Sequence, residues 1–201
     1  SDFLLELLSE EMPASLIEDS AISIERILYN NIKKNNLIFD KHNFYFGPKR
    51  LTFIFYNLKN EKEELLIKGP NINASEKAIE GFAKSQKTSV KKLNIQKTDK
   101  GDYYIFKKIV SPSDTADTLK KILELHLIKI PWKKSMRWGD NSLKWIRPLK
   151  NILCIYGINK INVNISGFLS QNYTLDSSLF NDNFFFIKSF KEYKQCLKKI
   201  N

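Results

Sequence analysis

Strand-like and helix-like segments follow one another irregularly along the 201 residues of this chain. Runs of apolar, β-branched and aromatic residues predict strands, whereas apolar residues at helical spacing predict amphipathic helices. Because the two kinds of segment do not alternate strictly, their order favours an α+β fold over a doubly wound parallel sheet. We therefore expect mixed, mostly antiparallel sheets with flanking helices. A division into two small subdomains, if there is one, is expected near 110–130.

The predicted strands are 3–8, the two arms of 43–58 on either side of Gly47-Pro48, 63–70, 150–156, 161–166 and 183–189. The segment 99–110 is predicted to be a turn that leads into a further strand. The predicted helices are 13–35, 73–86, 88–93, 113–129 and 190–200. Pro13 suits the first turn of a helix, and a Gly-Pro pair suits a turn between strands. The sequence contains no internal repeat, no low-complexity linker and no glycine-rich boundary.

The chain is strongly basic, with 33 Lys and Arg residues, 22 Asp and Glu residues and a net charge of +11. This charge suits a nucleic-acid or membrane-surface partner, but an AT-rich coding bias would also produce a sequence rich in Lys, Asn and Ile. Arg is scarce, so its positions are informative, because its planar fork binds phosphate or carboxylate in a way that Lys does not. Arg50, Arg137 and Arg147 lie in or beside turn-forming stretches.

The remaining composition narrows the class of protein. No apolar run reaches the roughly 18 residues that a membrane-spanning helix needs. Cys154 and Cys196, with only two His residues in the chain, are too few for a Cys/His zinc cluster, so no metal site is expected. Two free thiols in apolar contexts are typical of a reducing compartment, and we therefore expect a cytoplasmic protein.

The segment "PWKKSMRWGDNSLKWIRP" (131–148) holds every tryptophan of the chain. It predicts a β-hairpin with a four-residue turn at 139–142, in which Arg137 and Trp138 face Lys144 and Trp145 within one position of register. Such a hairpin suits a structural core element, a partner-protein surface or a platform for nucleic acid. The residues alone do not choose among these three interpretations.

Motifs for catalysis are not found. The sequence has no GxGxxG, no GxxxxGK[ST], no GxSxG and no HExxH. Asp99 and Asp102 are interpreted as turn residues, and His126 as a half-buried helix residue. Glu10 and Glu11 are adjacent, so on a strand their side chains point to opposite faces. We therefore expect no catalytic residues and no self-contained active site in this chain.

Five stretches resemble, in order, the beta subunit of the bacterial heterotetrameric glycyl-tRNA synthetase. They are "LLELLSEEMPA", "YFGPKRLTFIF", "KGPNINASEKAIEGFAKSQKTSVKKL", "TDKGDYYIF" and "PWKKSMRWGDNSLKWIRPLKNIL". The combination of "EGFAKSQ" and "KSMRWGD" is the most specific part of the resemblance, which covers nearly the whole chain. One departure lies at "LDSSLF" (175–180), where the family has a Gly-His-Arg cluster that this chain lacks.

The resemblance implies a subunit of an aminoacyl-tRNA ligase that joins glycine to its tRNA at the expense of ATP. In that family the class II active site, with its ATP and Mg, belongs to the alpha subunit, and no cofactor is bound by the part present here. The beta subunit binds tRNA and assembles with alpha as α2β2. Residues 1–201 would be its N-terminal region, and the family's HD-like and anticodon-binding domains would be absent.

Two uses of the basic and aromatic residues follow from the resemblance, namely contact with tRNA and docking of the alpha subunit or of other synthetase parts. An inactive partial gene product is a third reading, because the Gly-His-Arg cluster is lost. The candidate contact residues are Lys49, Arg50, Lys68, Lys134, Arg137, Trp138, Lys144 and Arg147.

Overall fold

The computed structural model describes residues 1–61, 64–98, 101–109, 112–137, 143–176 and 183–200. Among these residues the α-helices are α1 (Ala14–Lys34), α2 (Glu76–Ser85), α3 (Pro112–His126) and α4 (Phe190–Ile200), with short 3-10 helices at Val90–Lys92 and Leu127–Lys129. The strands are β1 (Phe3–Ser9), β2 (Leu37–Ile38), β3 (Lys41–Phe46), β4 (Arg50–Tyr56), β5 (Lys59–Asn60), β6 (Glu64–Asn71), β7 (Asn94–Gln96), β8 (Tyr103–Ile109), β9 (Leu149–Tyr156), β10 (Asn159–Lys160), β11 (Asn164–Ile165), β12 (Phe168–Leu169), β13 (Tyr173–Leu175) and β14 (Phe184–Phe186).

These bounds confirm the α+β fold. The predicted elements occur in the predicted order, but six short strands between them were not predicted, namely β2, β5, β7, β10, β12 and β13. Three predictions were too long. The strand predicted at 183–189 contains only the three residues of β14. The helix predicted at 88–93 is only the 3-10 turn Val90–Lys92, and the strand predicted at 161–166 contains only the two residues of β11. Before β11 the amide of Val163 donates to the carbonyl of Ile161 (3.1 Å), which makes a three-residue turn, so the strand begins only at Asn164. After β11 the chain reverses at Ser166 and Gly167, whose φ angles are 50° and 95°. The predicted turn at 139–142 lies outside the described residues.

The chain divides into two units by its internal contacts. The main unit comprises Ser1–Glu61 and Pro112–Asn201, and the inserted unit comprises Lys62–Ser111. The inserted unit therefore interrupts the main unit in sequence.

The main unit is built on a five-stranded sheet with the order β10-β9-β1-β4-β3, in which every neighbouring pair is antiparallel. Successive side chains of a strand point to opposite faces of a sheet, so each strand contributes to two layers. Phe3, Leu5 and Leu7 of β1 belong to the larger apolar cluster, which also includes buried residues of α1 and α3. Leu4 belongs to a second cluster, together with Phe190 and Tyr193 of α4. The sheet is therefore covered on both faces.

Helix α1 follows the pattern that the sequence predicts. Its buried apolar residues recur at helical spacing and are Ile17, Ala21, Ile24, Leu28 and Ile32. Pro13 precedes the first turn, where its missing N–H costs nothing, and the helix ends in Lys33 and Lys34, whose charges suit its C-terminus. The helix thus begins immediately after the segment Ser9–Met12, which leads out of β1.

The inserted unit contains the sheet β6-β8-β7, again antiparallel, together with α2. Ile79 and Ala83 are the buried residues of α2. The ring of Phe82 lies against Gly69, where a Cβ atom would be 2.5 Å from the ring carbon Cε1. The close approach of this helix to β6 therefore depends on the absence of a side chain at position 69.

Candidate nucleic-acid or partner interface

Three segments that are distant in the sequence meet in the main unit, namely the end of β1, the "GPKR" turn and the "WIRP" segment. Three backbone hydrogen bonds join them: the amide of Ser9 to the carbonyl of Lys49 (2.9 Å), that of Met12 to Pro48 (2.7 Å) and that of Glu10 to Pro148 (2.9 Å). Because these bonds involve only the main chain, they hold the three turns together without using any side-chain charge. The fold therefore assembles a candidate surface from three of the stretches singled out in the sequence.

The two arms of the predicted hairpin approach each other as an antiparallel pair. Met136 and Trp145 exchange two backbone hydrogen bonds, of 2.8 Å and 3.1 Å between nitrogen and oxygen. The adjacent residues, Arg137 and Lys144, are both exposed. The observed pair agrees with the predicted register, which was given to within one position.

The tryptophans of this region do not share one environment. Trp145 is only 1% exposed and belongs to the larger apolar cluster. Trp132 is half-buried against that cluster, and its ring meets the ring of Trp145 edge-on at a centroid distance of 4.8 Å. Trp138, a candidate contact residue, lies outside the described residues. The core interpretation is therefore correct for Trp145.

The cations of the region fall into two sets. Lys133 forms an ion pair with Asp19, and Lys150 forms one with Glu10 at 2.9 Å. Both pairs are largely exposed, so they neutralise charge without contributing much stability. These two lysines are the less available cations of the region.

Lys134, Arg137 and Lys144 form the second set. Their side chains are exposed, and none of them makes an ion pair with a residue that the structure describes. Arg147 is half-buried; its Nε donates to the carbonyl of Glu11 at 3.3 Å and its Nη1 lies 3.8 Å from the sulfur of Met136. This anchoring leaves its charge without a carboxylate among the described residues.

A groove lies between the start of α1 and the hairpin, and we call it the basic groove. It has about 570 Å³ of space, part of which is open to solvent, and is lined by Pro13, Ser15, Leu16, Lys134, Ser135, Met136, Ile146 and Arg147. Leu16 and Ile146 supply apolar surface, and Lys134 and Arg147 supply positive charge. The N-terminus of α1 adds the partial positive charge of its unpaired amides. The groove thus suits an anionic group that also carries an apolar or aromatic part.

Arg50, another candidate contact residue, points into the main unit. Its Nη1 donates to Oε2 of Glu6 at 2.9 Å and to Oγ1 of Thr174 at 2.8 Å, and its Nη2 donates to the carbonyl of Leu175. Only 15% of the Arg50 side chain is exposed, and Glu6 is fully buried. The guanidinium therefore serves an internal network, and its role in external contact stays a prediction.

The two remaining candidates are Lys49 and Lys68. Lys49 is half-buried, next to the backbone contact with Ser9. Lys68 belongs to the inserted unit, where its Nζ lies 3.7 Å from the centroid of the Tyr103 ring. The basic groove and the hairpin therefore bring together four of the predicted residues: Lys134, Arg137, Lys144 and Arg147.

Potential nucleophiles and metal ligands are poorly placed for chemistry. Burial raises the pKa of the Cys154 thiol and also that of Cys196, so neither is held as a thiolate. Burial and the nearby Lys129 and Lys34 lower the pKa of His126, which is half-buried as predicted. Within the described ranges, no three His, Cys, Asp or Glu residues are grouped so as to hold a metal ion.

Sequence reasoning missed Glu6, the partner of Arg50. The signal was present, because Glu6 is the one charged residue of the apolar run "FLLELL" and a buried carboxylate requires a cation or several donors. The scarcity of Arg indicated that Arg50 binds a phosphate or carboxylate with its planar fork. It did not indicate whether that acceptor belongs to this chain or to a partner.

A comparison with known families and proteins matches nearly the whole chain. The sequence profile described as glycyl-tRNA synthetase beta subunit matches residues 3–201. The glycine–tRNA ligase beta subunit of Rickettsia canadensis (strain McKiel) is 33% identical over 201 residues, which is 99% of this chain and 30% of that protein. None of the described helices has both the length and the apolar character needed to cross a membrane.

Two further relatives agree with this match. The glycine–tRNA ligase beta subunit of Rickettsia typhi (strain ATCC VR-144 / Wilmington) is 36% identical and that of Rickettsia prowazekii (strain Madrid E) is 35% identical, each over 204 residues. In both alignments all of this chain is covered, but only 30% of the relative. The chain thus spans about a third of the length of the curated relatives that it matches.

Proposed function

The chain belongs to the family of glycyl-tRNA synthetase beta subunits, and from this premise we propose that it supports the ATP-dependent attachment of glycine to tRNA by binding the tRNA through the basic groove and its hairpin. The observation that carries the proposal is the set of three exposed cations, Lys134, Arg137 and Lys144, that make no ion pair among the described residues. They belong to the stretch that ends in the "WIRP" segment, which is one of the three segments that meet.

Phosphate is the ligand that this set of residues fits best. Lys presents a point charge and Arg a planar fork, and both bind phosphate oxygens with charge-assisted hydrogen bonds. Contacts of this kind position a nucleic acid without reading its sequence. The apolar wall of Leu16 and Ile146 would then meet the sugar or base beside the phosphate. We propose that Arg137 and Lys144 extend this contact along the hairpin.

The rest of the reaction is assigned to another subunit. We propose that the alpha subunit holds ATP and its Mg and forms the bond to glycine, that the two subunits assemble as α2β2, and that the complex works in the cytoplasm. Support for this division comes from the family resemblance, which implies that the class II active site belongs to the alpha subunit.

A second candidate function is docking of the alpha subunit or of another part of the synthetase at the same surface. Met136 favours it, because this apolar side chain is 39% exposed at the edge of the basic groove. Exposed apolar residues next to Arg are common anchors at protein interfaces. In this case the basic groove would bind a protein segment with both acidic and apolar residues.

The binding test compares Arg137→Gln with Lys133→Gln. The two residues lie on the same arm of the hairpin, but among the residues that the structure describes only Lys133 is paired with a carboxylate. We expect Arg137→Gln to weaken binding of glycine tRNA and to reduce the slope of log affinity against log salt by about one unit, with a smaller effect of Lys133→Gln. Binding of tRNA that does not depend on salt, or an equal effect of both variants, would contradict the proposal.

Two further experiments test the docking of the alpha subunit and the assignment of bond formation to that subunit. A complex with the alpha subunit that survives high salt but is lost in Met136→Ser would favour docking over RNA contact. Glycine charging by the 201-residue chain alone, with tRNA and ATP but no alpha subunit, would contradict the assignment of bond formation to alpha. We expect no charging under these conditions.

A further inference from the structure

A second surface of the main unit presents an aromatic ring to solvent. Tyr45 lies on β3, which is at the edge of the five-stranded sheet, and is 48% exposed. Its ring stacks on the ring of Phe190 at the start of α4, with a centroid distance of 5.9 Å and an interplanar angle of 28°. Phe190 is itself buried. One side of the Tyr45 ring is therefore held in place while about half of the residue's surface remains open.

Two lysines flank this ring through neighbouring aromatic residues. The Nζ of Lys194 lies 5.1 Å from the centroid of Phe190. The Nζ of Lys41 lies 4.8 Å from the centroid of Tyr56, whose ring meets Phe190 edge-on at 6.0 Å. Both lysines are exposed, and neither is ion-paired in the part of the chain that the structure describes. We call Lys41, Tyr45, Tyr56, Phe190 and Lys194 the Tyr45 platform.

Three side chains of β3 extend the Tyr45 platform along the edge of the sheet. Lys41, Asn43 and Tyr45 alternate along the strand, so all three side chains lie on the same face of the sheet. The Nδ2 of Asn43 lies 3.5 Å from the Tyr45 hydroxyl oxygen, and Asn43 is exposed. A cation, an amide and an open aromatic ring thus follow one another along one edge.

We propose that the Tyr45 platform binds an unpaired nucleotide of a single-stranded RNA segment, with the base stacked on Tyr45 and the adjoining phosphates next to Lys41 and Lys194. Proteins bind single strands by combining cations that follow the backbone with aromatic rings on which bases stack. A base inside a duplex is already stacked on both faces and offers no open face to the ring. The platform therefore discriminates between single-stranded and double-stranded RNA.

The surroundings favour RNA over an acidic peptide. The recognition element is an open ring backed by a second ring, which matches the flat face of a base, whereas carboxylates need only the lysines. The platform shares with the basic groove the assumption that this chain contacts RNA, but it uses none of the same residues. The two surfaces can therefore be tested independently.

The experiment measures fluorescence anisotropy of labelled twelve-nucleotide oligouridine and of a duplex of the same length, each titrated with the 201-residue chain. We expect Tyr45→Ser to weaken binding of the single strand about tenfold, the loss typical of one stacked base, and to leave duplex binding unchanged. The matched control is Phe46→Ser, because Phe46 is the next residue on the same strand, is 46% exposed and lies on the opposite face. We expect that control to bind as the unchanged chain does.

A conservative variant separates binding from structure. Tyr45→Trp keeps a flat ring at the position, so it should retain single-strand affinity, whereas a purely structural role of Tyr45 predicts that affinity follows thermal stability across the variants. Unchanged binding in Tyr45→Ser, or an equal loss in Phe46→Ser, would overturn the inference. A polyglutamate peptide that competes with the oligonucleotide and loses affinity equally in Tyr45→Ser would replace RNA by an acidic protein segment and would also overturn it.

Titrations with glycine tRNA and with the single strand, compared for the same variants, keep this inference distinct from the proposed function. If Arg137→Gln loses tRNA binding while Tyr45→Ser binds the single strand normally, the Tyr45 platform is wrong and the basic groove stands. The reverse result supports the platform and counts against the groove.

Discussion

Glu6 and Arg50 form an ion pair inside the main unit, with 2.9 Å between Oε2 of Glu6 and Nη1 of Arg50. The carboxylate also accepts hydrogen bonds from the hydroxyls of Thr174 and Tyr193. These four residues belong to β1, β4, β13 and α4, respectively. Through these hydrogen bonds the ion pair connects β1 and β4 to β13 and α4, which are more than a hundred residues away in the sequence.

Loss of Arg50 should be costly because it leaves the Glu6 carboxylate buried without its cation. We expect Arg50→Met to lower the free energy of unfolding by about 3–5 kcal/mol, the cost of breaking a buried pair by removing one partner. The measurement is urea unfolding followed by circular dichroism at neutral pH.

An exposed pair provides the control for this prediction. Lys133→Met removes the partner of Asp19 on the surface, and we expect a change below about 1 kcal/mol. Equal effects of the two variants would show that Arg50 contributes no more than a surface charge and would contradict the buried-network interpretation.

We expect the buried hydroxyl of Tyr193 to make the free energy of unfolding depend on pH under alkaline conditions. Burial, together with the neighbouring Glu6 carboxylate, raises the pKa of the Tyr193 hydroxyl well above its usual value. The unfolded chain loses this proton near pH 10 and the folded chain does not, so the stabilisation is complete below pH 10 and is lost as the pH rises above it. We expect the free energy of unfolding to fall there by up to about 1.4 kcal/mol per pH unit from this group.

Two variants isolate the titration of Tyr193. Tyr193→Phe should be less stable at neutral pH, because the Glu6 carboxylate loses a donor, but its stability should decline less steeply above pH 10. Thr52→Val removes the hydrogen bond between Thr52 and Tyr193, of 2.8 Å, without removing the ionisable hydroxyl. It should therefore keep the steep decline, and urea unfolding between pH 8 and 11 checks both. An unaltered slope in Tyr193→Phe would contradict the prediction.

We expect a side chain at position 69 to clash with its neighbours in the inserted unit. A Cβ atom at this position would lie 2.5–2.8 Å from three carbons of the Phe82 ring, so Gly69→Ala must displace the ring. We expect a loss of about 1–3 kcal/mol, as for other cases of overpacking. Combining Gly69→Ala with Phe82→Ala should remove this clash. The double variant should therefore lose less stability than the sum of the losses of the two single variants.

Gly81 is the matched control for Gly69. It lies in α2, where nothing described is within 4 Å of its added Cβ, and Ala favours a helix over Gly by about 1 kcal/mol. Gly81→Ala should therefore stabilise the inserted unit. Hydrogen exchange of the α2 amides measures both variants, and a stabilising effect of Gly69→Ala would be incompatible with the close approach of Phe82.

The two cysteines should differ in reactivity with a thiol reagent. Cys154 is fully buried on β9 and Cys196 is half-buried on α4, and burial raises the pKa of both. Since the thiolate is the reactive form, we expect slow labelling of Cys196 and labelling of Cys154 only when the chain unfolds. Mass spectrometry of peptides after timed labelling distinguishes the two, and faster labelling of Cys154 would contradict its burial.

Local patterns were enough to predict most elements of the fold. The apolar spacing of α1 and the β-forming run around the "GPKR" turn lie within single segments, where periodicity reflects which face is buried. The strand predicted at 161–166 was too long, mainly because a three-residue turn, in which the amide of Val163 donates to the carbonyl of Ile161, precedes β11. A turn of this kind depends on two backbone angles, which the apolar pattern does not report.

The candidate site was only partly predictable for a different reason. Arg50 and Arg147 look alike in the sequence, since both are scarce arginines in turn-forming stretches. In the structure Arg50 is bound to a carboxylate inside the main unit, whereas Arg147 lines the basic groove. The difference comes from Glu6 and Thr174, which lie 44 and 124 residues from Arg50 along the chain.

The amino-acid sequence by itself determined the order of helices and strands, the family and the excess of positive charge, because these depend on residue types and short spacings. Only the tertiary structure decided which cations remain available for a partner. Whether a cation is paired inside the chain or stays available depends on the carboxylates that folding brings within a few ångströms of it. Those carboxylates are remote from the cation in the sequence.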